Sequence, residues 1–208
     1  GCSNTDQVVV TVNPIPAAPS AIAQTFLTSQ NKTVNDLVIT SSGVPVWYNS
    51  LTNGSVYSSS ALLSTATYYA AQKVNGCESS ERTAVSVSVF SDSVGGSVDG
   101  TTTVCYGVNS TALTLSGYTG SITKWQSSTV SDFSANVTDL NTQNTTYTVL
   151  NLTNSMYYRA VVQSGSSTSF STPAFIEVVS SSNGGTLTAT NTSVCKDVVG
   201  GTLNLTGK

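Results

Sequence analysis

The chain contains an internal repeat of nearly 90 residues. The segments YYAAQKVNGCESSERTAVSVSV (68–89) and YYRAVVQSGSSTSFSTPAFIEV (157–178) both begin with Tyr-Tyr-x-Ala, end in alternating apolar residues, and start 89 residues apart. A second match relates GGSVDGTTTVC (95–105) to GGTLTATNTSVC (184–195). Repeats of this kind predict that one supersecondary unit is used several times along the chain.

The repeated unit has the pattern of short β-strands. In VSVSV (85–89) apolar and polar residues alternate, which predicts one buried and one solvated face. In the first unit we predict strands at 37–40, 44–48, 67–74 and 83–89. Ser-Gly and Asn-Gly pairs between them are turn signals. No stretch has sustained helical periodicity.

Each unit has one Trp on an early strand and a Tyr pair on a later one, a combination typical of immunoglobulin-like sandwiches. The predicted fold class is therefore all-β, with tandem immunoglobulin-like β-sandwich repeats that form an elongated rod. The alternation of the Tyr strands predicts that Arg159 faces outward and that Ala71, Ala160 and Val162 face inward. The predicted core residues are Trp47, Tyr69, Trp125 and Tyr158.

The repeat spacing predicts four parts. Residues 1–12 align with 76–87 and are predicted to be the last strands of a preceding repeat, without pairing partners in this chain. A first repeat covers 13–90 and a second covers 91–180, while 181–208 are the start of a third. The second repeat has eleven more residues between its Trp and its Tyr pair, which we interpret as an extra hairpin at 127–140.

Composition excludes several classes of function. Only 8% of residues are charged and the net charge is −3, so a nucleic-acid interface, which needs clustered cations, is not expected. No apolar run has the roughly 20 residues of a membrane-spanning helix, and direct membrane insertion is not expected. The chain has no His, which removes the usual catalytic base. We predict no catalytic residues, no cofactor and no metal site, with weak cation candidates at Asp92, Asp99 and Asp197.

The first repeat, with VWYNS and ATYYAAQKVNGCESSERTAVSV, resembles bacterial immunoglobulin-like repeats of proteins secreted by Bacteroidetes. The second, with LTLSGYTGSITKWQSS and NTTYTVLNLTNSMYYRAVVQSG, is similar to repeats of the giant SprB-like cell-surface gliding adhesins. This resemblance implies export by the type IX secretion system and display on the cell surface. It also implies partnership with the gliding machinery and contact with extracellular surfaces or polysaccharides.

The cysteines depart from the pattern of the resembling repeats, in which one Cys early in the unit bridges to another just after the Tyr strand. The first repeat has Cys77 but Leu27 at the early position, and the second has Cys105 but Ser166 at the late one. We therefore favour free thiols at Cys77 and Cys105. The alternative is a Cys77–Cys105 bridge, which requires their Cα atoms to lie within about 7 Å. The other two cysteines, expected to pair outside the chain, are Cys2 and Cys195.

One modification site is suggested by resemblance alone. Asp92-Ser93-Val94 resembles the short Asp-Ser/Thr-apolar O-glycosylation motif of Bacteroidetes. Ser93 lies in SDSVGGS (91–97), which we expect to be an exposed linker.

The leading functional hypothesis is a structural and adhesive segment of an exported cell-surface adhesin that serves gliding and attachment. A carbohydrate-binding module is the alternative, and it would need exposed aromatic rings in a row. A third hypothesis is an accessory spacer of an exported enzyme. The only plausible suppliers of an aromatic row are Tyr57, Tyr106, Tyr118 and Tyr147.

Overall fold

The computed structural model describes residues 7–180, 182, 184–193, 195–197 and 200–207. These residues form β-strands joined by turns and by short 3₁₀ segments at Thr28–Gln30 and Val34–Asp36. None of the helical segments in this described part of the chain has the length or apolarity needed to span a bilayer. The strands are β1 Gln24–Leu27, β2 Val44–Tyr48, β3 Ala66–Val74, β4 Cys77–Glu78, β5 Thr83–Phe90, β6 Ser97–Asp99, β7 Thr102–Cys105, β8 Ser110–Ser116, β9 Ser121–Ser128, β10 Thr138–Leu140, β11 Thr146–Leu150, β12 Met156–Ser164, β13 Ser167–Phe170, β14 Ala174–Val179, β15 Thr186–Ala189 and β16 Leu203–Thr206.

The chain divides into two compact units. The first comprises the residues through Gly95 together with Thr119–Ser121 and Val162–Ser169. The second comprises Gly96–Tyr118, Ile122–Val161 and the residues from Phe170 onward.

The first unit is built on a sheet with the strand order β1-β5-β3-β2, and β4 pairs with β3. Strand β1 runs parallel to β5, whereas β3 is antiparallel to both its neighbours in this order. Strand β2 lies at the edge of this sheet and carries an exposed proline, Pro45. Three of the predicted strands, at 44–48, 67–74 and 83–89, agree with β2, β3 and β5 to within one residue.

The predicted strand at 37–40 is wrong. Residues 37–40 follow a 3₁₀ segment and make only an isolated bridge between Ser20 and Thr40. The Gln24 side chain takes the place of a strand partner, because it donates to the Val38 carbonyl at 2.8 Å and accepts from the Val38 N–H at 3.0 Å. A side-chain amide therefore satisfies the backbone groups that a strand at 37–40 would pair within a sheet.

The core of the first unit corrects the prediction for Tyr69. Tyr68 pairs with Val85, and Trp47 pairs with Ala70, which places these four side chains on one face of the sheet. Tyr69 has the opposite orientation and is half-buried on the outer face. Ala71 is fully buried but shares that outer face. The buried core cluster consists of Val34, Leu37, Trp47, Tyr68, Ala70, Val85 and Val87.

The second unit contains two facing sheets. One has the order β10-β9-β12-β14-β7, and the other has the order β11-β8-β6. The Tyr147 ring of β11 contacts the rings of Trp125 (5.9 Å) and Tyr158 (6.0 Å) between centroids, so these side chains fill the space between the sheets. Trp125 is fully buried, and its Nε1 donates to the carbonyl of Asn144 at 2.9 Å. Ala160 and Val162 are also fully buried.

The extra hairpin predicted at 127–140 is confirmed. Strands β9 and β10 are antiparallel, with Thr138 opposite Ser127 and Leu140 opposite Trp125. The inserted residues thus add an edge strand to the larger sheet of the second unit.

The two Tyr strands correspond at an offset of 90 residues rather than 89. The burial pattern of β3 is reproduced by β12 when Ala66 is aligned with Met156, which makes Tyr158 the counterpart of Tyr68. The core ring is therefore the first Tyr of the pair in one unit and the second in the other. By the same offset the counterpart of Cys77 is Ser167, which begins β13 as Cys77 begins β4.

The strand pair β15–β16 repeats the register of β6–β8. Leu187 lies opposite Leu205, as Val98 lies opposite Leu115. The leucines of this pair are 49–66% exposed, whereas Val98 and Leu115 are buried. Residues 7–12 are in no strand, and four of their valines are 78–89% exposed.

Candidate ligand-binding face

The side of the larger second-unit sheet that points away from the core carries an aromatic pair, and we call this side the outer face. Tyr158 and Ala174 are buried in the core, so the alternation of β12 and β14 places Tyr157 and Phe175 on the outer face. These two residues are opposite each other, and their rings stack with centroids 4.4 Å apart. Both are half-buried, so part of each ring remains accessible.

Arg159 is the next residue of β12 on the outer face, as predicted, and it lies against two aromatic rings. Its Cζ is 4.1 Å from the ring centroid of Phe133 and 3.8 Å from that of Phe170. Phe133 comes from the extra hairpin and is buried, whereas Phe170 ends β13 and is 52% exposed. The burial lowers the pKa of Arg159 from its usual value, although the group stays cationic at neutral pH.

A series of hydrogen bonds through Gln126 and Asp139 holds the Nε side of the Arg159 guanidinium. Its Nε donates to Gln126 Oε1 at 2.9 Å, and Gln126 Nε2 donates to Asp139 Oδ1 at 2.8 Å. Lys124 Nζ forms an ion pair with Asp139 Oδ2 at 2.6 Å. The hydrogen bond from Lys124, followed by that from Gln126, lowers the pKa of Asp139. The carboxylate of Asp139 is thus engaged by Lys124 and Gln126 rather than by Arg159.

The outer end of the Arg159 guanidinium is open. Within the residues that the structure describes, no carboxylate forms an ion pair with Arg159, and Nε is its only hydrogen-bonded nitrogen. Every buried side-chain nitrogen or oxygen in that part of the chain has a hydrogen-bond partner, so the unpaired Nη1 and Nη2 reach solvent. The arrangement can accept an anion in the plane of the guanidinium.

A related cluster in the first unit is closed. Arg82 lies over the Tyr48 ring, with its Cζ 3.3 Å from the centroid, but its Nη1 donates to the carbonyls of Ser50 (2.7 Å) and Asn53 (2.6 Å). The Tyr48 hydroxyl donates to Glu78 Oε1 at 2.6 Å, and this hydrogen bond raises the pKa of Tyr48. Arg82, in the turn before β5, therefore holds the loop that follows β2.

Two of the four tyrosines named as suppliers of an aromatic row, Tyr57 and Tyr147, pack against core rings. The Tyr57 ring lies 5.0 Å from that of Tyr68, and the Tyr147 ring lies between two core rings. Tyr118 is half-buried and Tyr106 is 62% exposed. The accessible aromatics of the outer face are other residues, which sequence reasoning missed. The sequence signal for this face was an arginine, Arg159, that directly follows the Tyr pair and is followed by Phe170 and Phe175. The inserted hairpin at 127–140 also brings an aromatic residue, Phe133.

The cysteine positions are described for three of the four residues. Cys77 is half-buried, and its Sγ lies 3.7 Å from the Asn13 carbonyl oxygen. Cys105 and Cys195 are exposed, and none of the three forms a disulfide with another described cysteine. Cys2 lies outside the described residues.

Ser93 is buried rather than exposed, which corrects the expectation of an open linker. Its hydroxyl hydrogen-bonds to the hydroxyls of Ser167 (2.8 Å) and Ser169 (2.9 Å), and only 8% of the residue is accessible. A glycan on Ser93 would have to displace these contacts.

The carboxylates named as weak cation candidates are not grouped. Asp92 accepts hydrogen bonds from the Ser29 hydroxyl (2.6 Å), the Ser29 N–H (3.0 Å) and the Thr28 hydroxyl (3.1 Å), and the Ser29 hydroxyl is the main cause of its lowered pKa. No group of three or more metal-ligating side chains occurs among the described residues.

Two family models match separate parts of the chain, and one of them describes an immunoglobulin-like domain. Residues 16–90 match the family model described as "Ig-like domain CHU_C associated", and residues 94–180 match the one described as "Domain of unknown function (DUF8696)". None of the curated proteins matches the chain. The match of residues 16–90 to the Ig-like family model, together with the sheet topology above, confirms the predicted all-β, immunoglobulin-like sandwich fold.

Similar solved structures include the N-terminal four Ig domains of Dscam1. Isoform 6.9 is 11% identical, with 82% of this chain and 48% of that chain covered and a TM-score of 0.39. Sidekick-1 immunoglobulin domains 1–5 are 15% identical, with coverages of 77% and 40% and a TM-score of 0.28. The chain spans about half the length of these structures or less.

Proposed function

We propose that the chain is a structural and adhesive segment of a large exported cell-surface protein. The observation that carries this proposal is the recurrence of one strand arrangement along the chain. The parallel pair β1–β5 of the first unit recurs as β7–β14 in the second, and the register of β6–β8 recurs in β15–β16. A tandem array of sandwich units provides length and many copies of a surface, and weak contacts made by linked copies add through effective concentration.

The chemistry of the described residues supports a role in structure and contact. The two arginines that lie on aromatic rings are Arg82, in the turn before β5, and Arg159, on the outer face of the larger second-unit sheet. Each of the described ion pairs, Lys32–Asp36 and Lys124–Asp139, lies within one unit. The exported location, the type IX secretion route, the Bacteroidetes origin and the role in gliding come from the sequence resemblance and belong to this proposal.

The location is tested on intact cells of the producing organism. An antibody raised against the folded chain is expected to label intact cells, and external protease is expected to remove the epitope. Labelling that appears only after permeabilisation would overturn the surface assignment.

The gliding role is tested by deletion of the gene that encodes the chain. Loss of colony spreading and of attachment to glass is expected, with restoration by the complemented gene. Normal spreading together with surface labelling would overturn the gliding role and leave the surface role standing.

A further inference from the structure

We propose that the outer face around Arg159 binds carboxylate-bearing sugars, such as the uronic acid units of an extracellular polysaccharide. This inference rests on the proposed adhesive function, since it names the ligand class that an adhesive unit would contact. It also uses aromatic residues other than the four tyrosines considered for a binding row.

Arg159 is a half-buried cation without a counter-charge among the described residues, and an anionic ligand would supply one. The guanidinium is half-buried between the Phe133 and Phe170 rings, and no carboxylate pairs with it among the described residues. The acidic member of its series of hydrogen bonds, Asp139, is held by Lys124 and Gln126. A carboxylate from a ligand would supply the missing counter-charge.

The geometry of Arg159 favours a planar anion. The two rings and the Nε–Gln126 bond hold the guanidinium plane in one orientation, so binding costs little side-chain entropy. The open Nη1 and Nη2 donors form a fork that matches the two oxygens of a carboxylate.

The neighbouring aromatics supply a surface for the sugar ring. Tyr157 is two residues from Arg159 on the same face of β12, about 7 Å along the strand, and it is stacked on Phe175. Phe170, against the guanidinium, is half exposed. Accessible aromatic rings with a polar group nearby suit ligands that have an apolar ring face and polar edges, as pyranose sugars do.

Nucleic acid and polyphosphate fit this face less well. Such ligands need several unpaired cations, but Lys124 is already paired with Asp139 and the chain has a net charge of −3. Exposed Glu177 lies on the same face, two residues from Phe175. One open cation beside aromatic rings instead suits a ligand that presents one carboxylate to the guanidinium and the face of a sugar ring to the aromatic side chains.

Binding is tested with the whole chain by isothermal titration calorimetry. The probes are polygalacturonate, its fully methyl-esterified form, and poly-glutamate as an acidic peptide. We expect saturable binding of polygalacturonate that weakens with added salt, and at least tenfold weaker binding of the methyl ester. Equal binding of the ester would show that the carboxylate is not recognised and would overturn the proposal.

Variants separate the site from the fold. Arg159→Gln is expected to abolish binding, Arg159→Lys to weaken it about tenfold because the fork is lost, and Phe170→Ala to weaken it with unchanged circular dichroism. The matched control is Arg82→Gln, which removes the closed cluster and is expected to leave affinity unchanged. If Arg159→Gln unfolds, the Arg159→Lys and Phe170→Ala variants still decide the question.

Three further results would overturn the inference. They are no binding of polygalacturonate, wild-type affinity in both Arg159→Lys and Phe170→Ala, or binding of poly-glutamate as tight as that of polygalacturonate, which would assign the face to acidic peptides. Surface labelling of cells is measured independently, so a failed glycan site with positive labelling leaves the adhesive function standing.

Discussion

Replacement of Tyr68 tests the sheet register of the first unit. Tyr68 is 2% exposed, its ring lies 5.0 Å from that of Tyr57, and its hydroxyl accepts a hydrogen bond from the Ser64 N–H at 3.0 Å. Truncation of a buried aromatic residue to alanine costs about 3–5 kcal/mol, so Tyr68→Ala is expected to destabilise the unit by this amount. Tyr69→Ala removes a half-buried ring from the outer face and is expected to cost about 1 kcal/mol.

Hydrogen exchange measured by mass spectrometry on peptides from β3 and β5 reports on the first unit alone. Where exchange follows the unfolding equilibrium, a loss of about 3 kcal/mol accelerates it roughly 100-fold, and a loss of about 1 kcal/mol about fivefold. The order reverses in the second unit, where Tyr158→Ala is expected to be severe and Tyr157→Ala mild. Tyr69→Ala as damaging as Tyr68→Ala would refute the register argument.

Three further predictions concern local geometry, pH and thiols. Gly96→Ala would place a Cβ in steric overlap with the Ser116 carbonyl oxygen at a φ of 72°. It should therefore lower the thermal midpoint well beyond Gly117→Ala, which has a similar φ of 65° but open space around it. The Thr33 N–H and Lys32 lower the pKa of Asp36 to about 2, below its ordinary value of 3.8. The contribution of Asp36 to the free energy of unfolding is therefore complete above about pH 4 and is lost as the pH falls toward 2. In urea titrations at a series of pH values, Asp36→Asn should remove that part of the pH dependence of the unfolding free energy. An unchanged pH dependence would contradict this. A thiol reagent should label exposed Cys105 faster than half-buried Cys77 in the native chain, and both after denaturation without reductant; two unlabelled residues would reveal a disulfide.

The strands of the first unit were largely predictable, because alternation and turn signals are local. The identity of the core Tyr was not, since both residues of a Tyr-Tyr pair fit either face and only the pairing of Tyr68 with Val85 decides between them. The alignment at 89 residues matched the letters Tyr-Tyr-x-Ala, whereas the sheets align at 90. A one-residue slip changes the face of every side chain in a strand.

The candidate site was only partly visible in the sequence. Alternation places Arg159 on the outer face, but Phe133 and Phe170 approach it from a hairpin loop and a strand end that carry no periodic pattern. The burial of Ser93 depends on the hydroxyls of Ser167 and Ser169, more than 70 residues away in sequence. Contacts of that range are decided by tertiary packing, which the local pattern of a Ser-rich chain does not encode.

The proline in edge strand β2 bears on how a repetitive chain reaches its native state. Several similar units emerge one after another at high local concentration, and an unfinished sheet could recruit a strand from its neighbour. Pro45 has no N–H to offer an incoming strand, and its ring hinders close approach along the free edge of the sheet. It would therefore act as a safeguard against misfolding between repeats, allowing each unit to complete its own sheet while its neighbours are still unfolded.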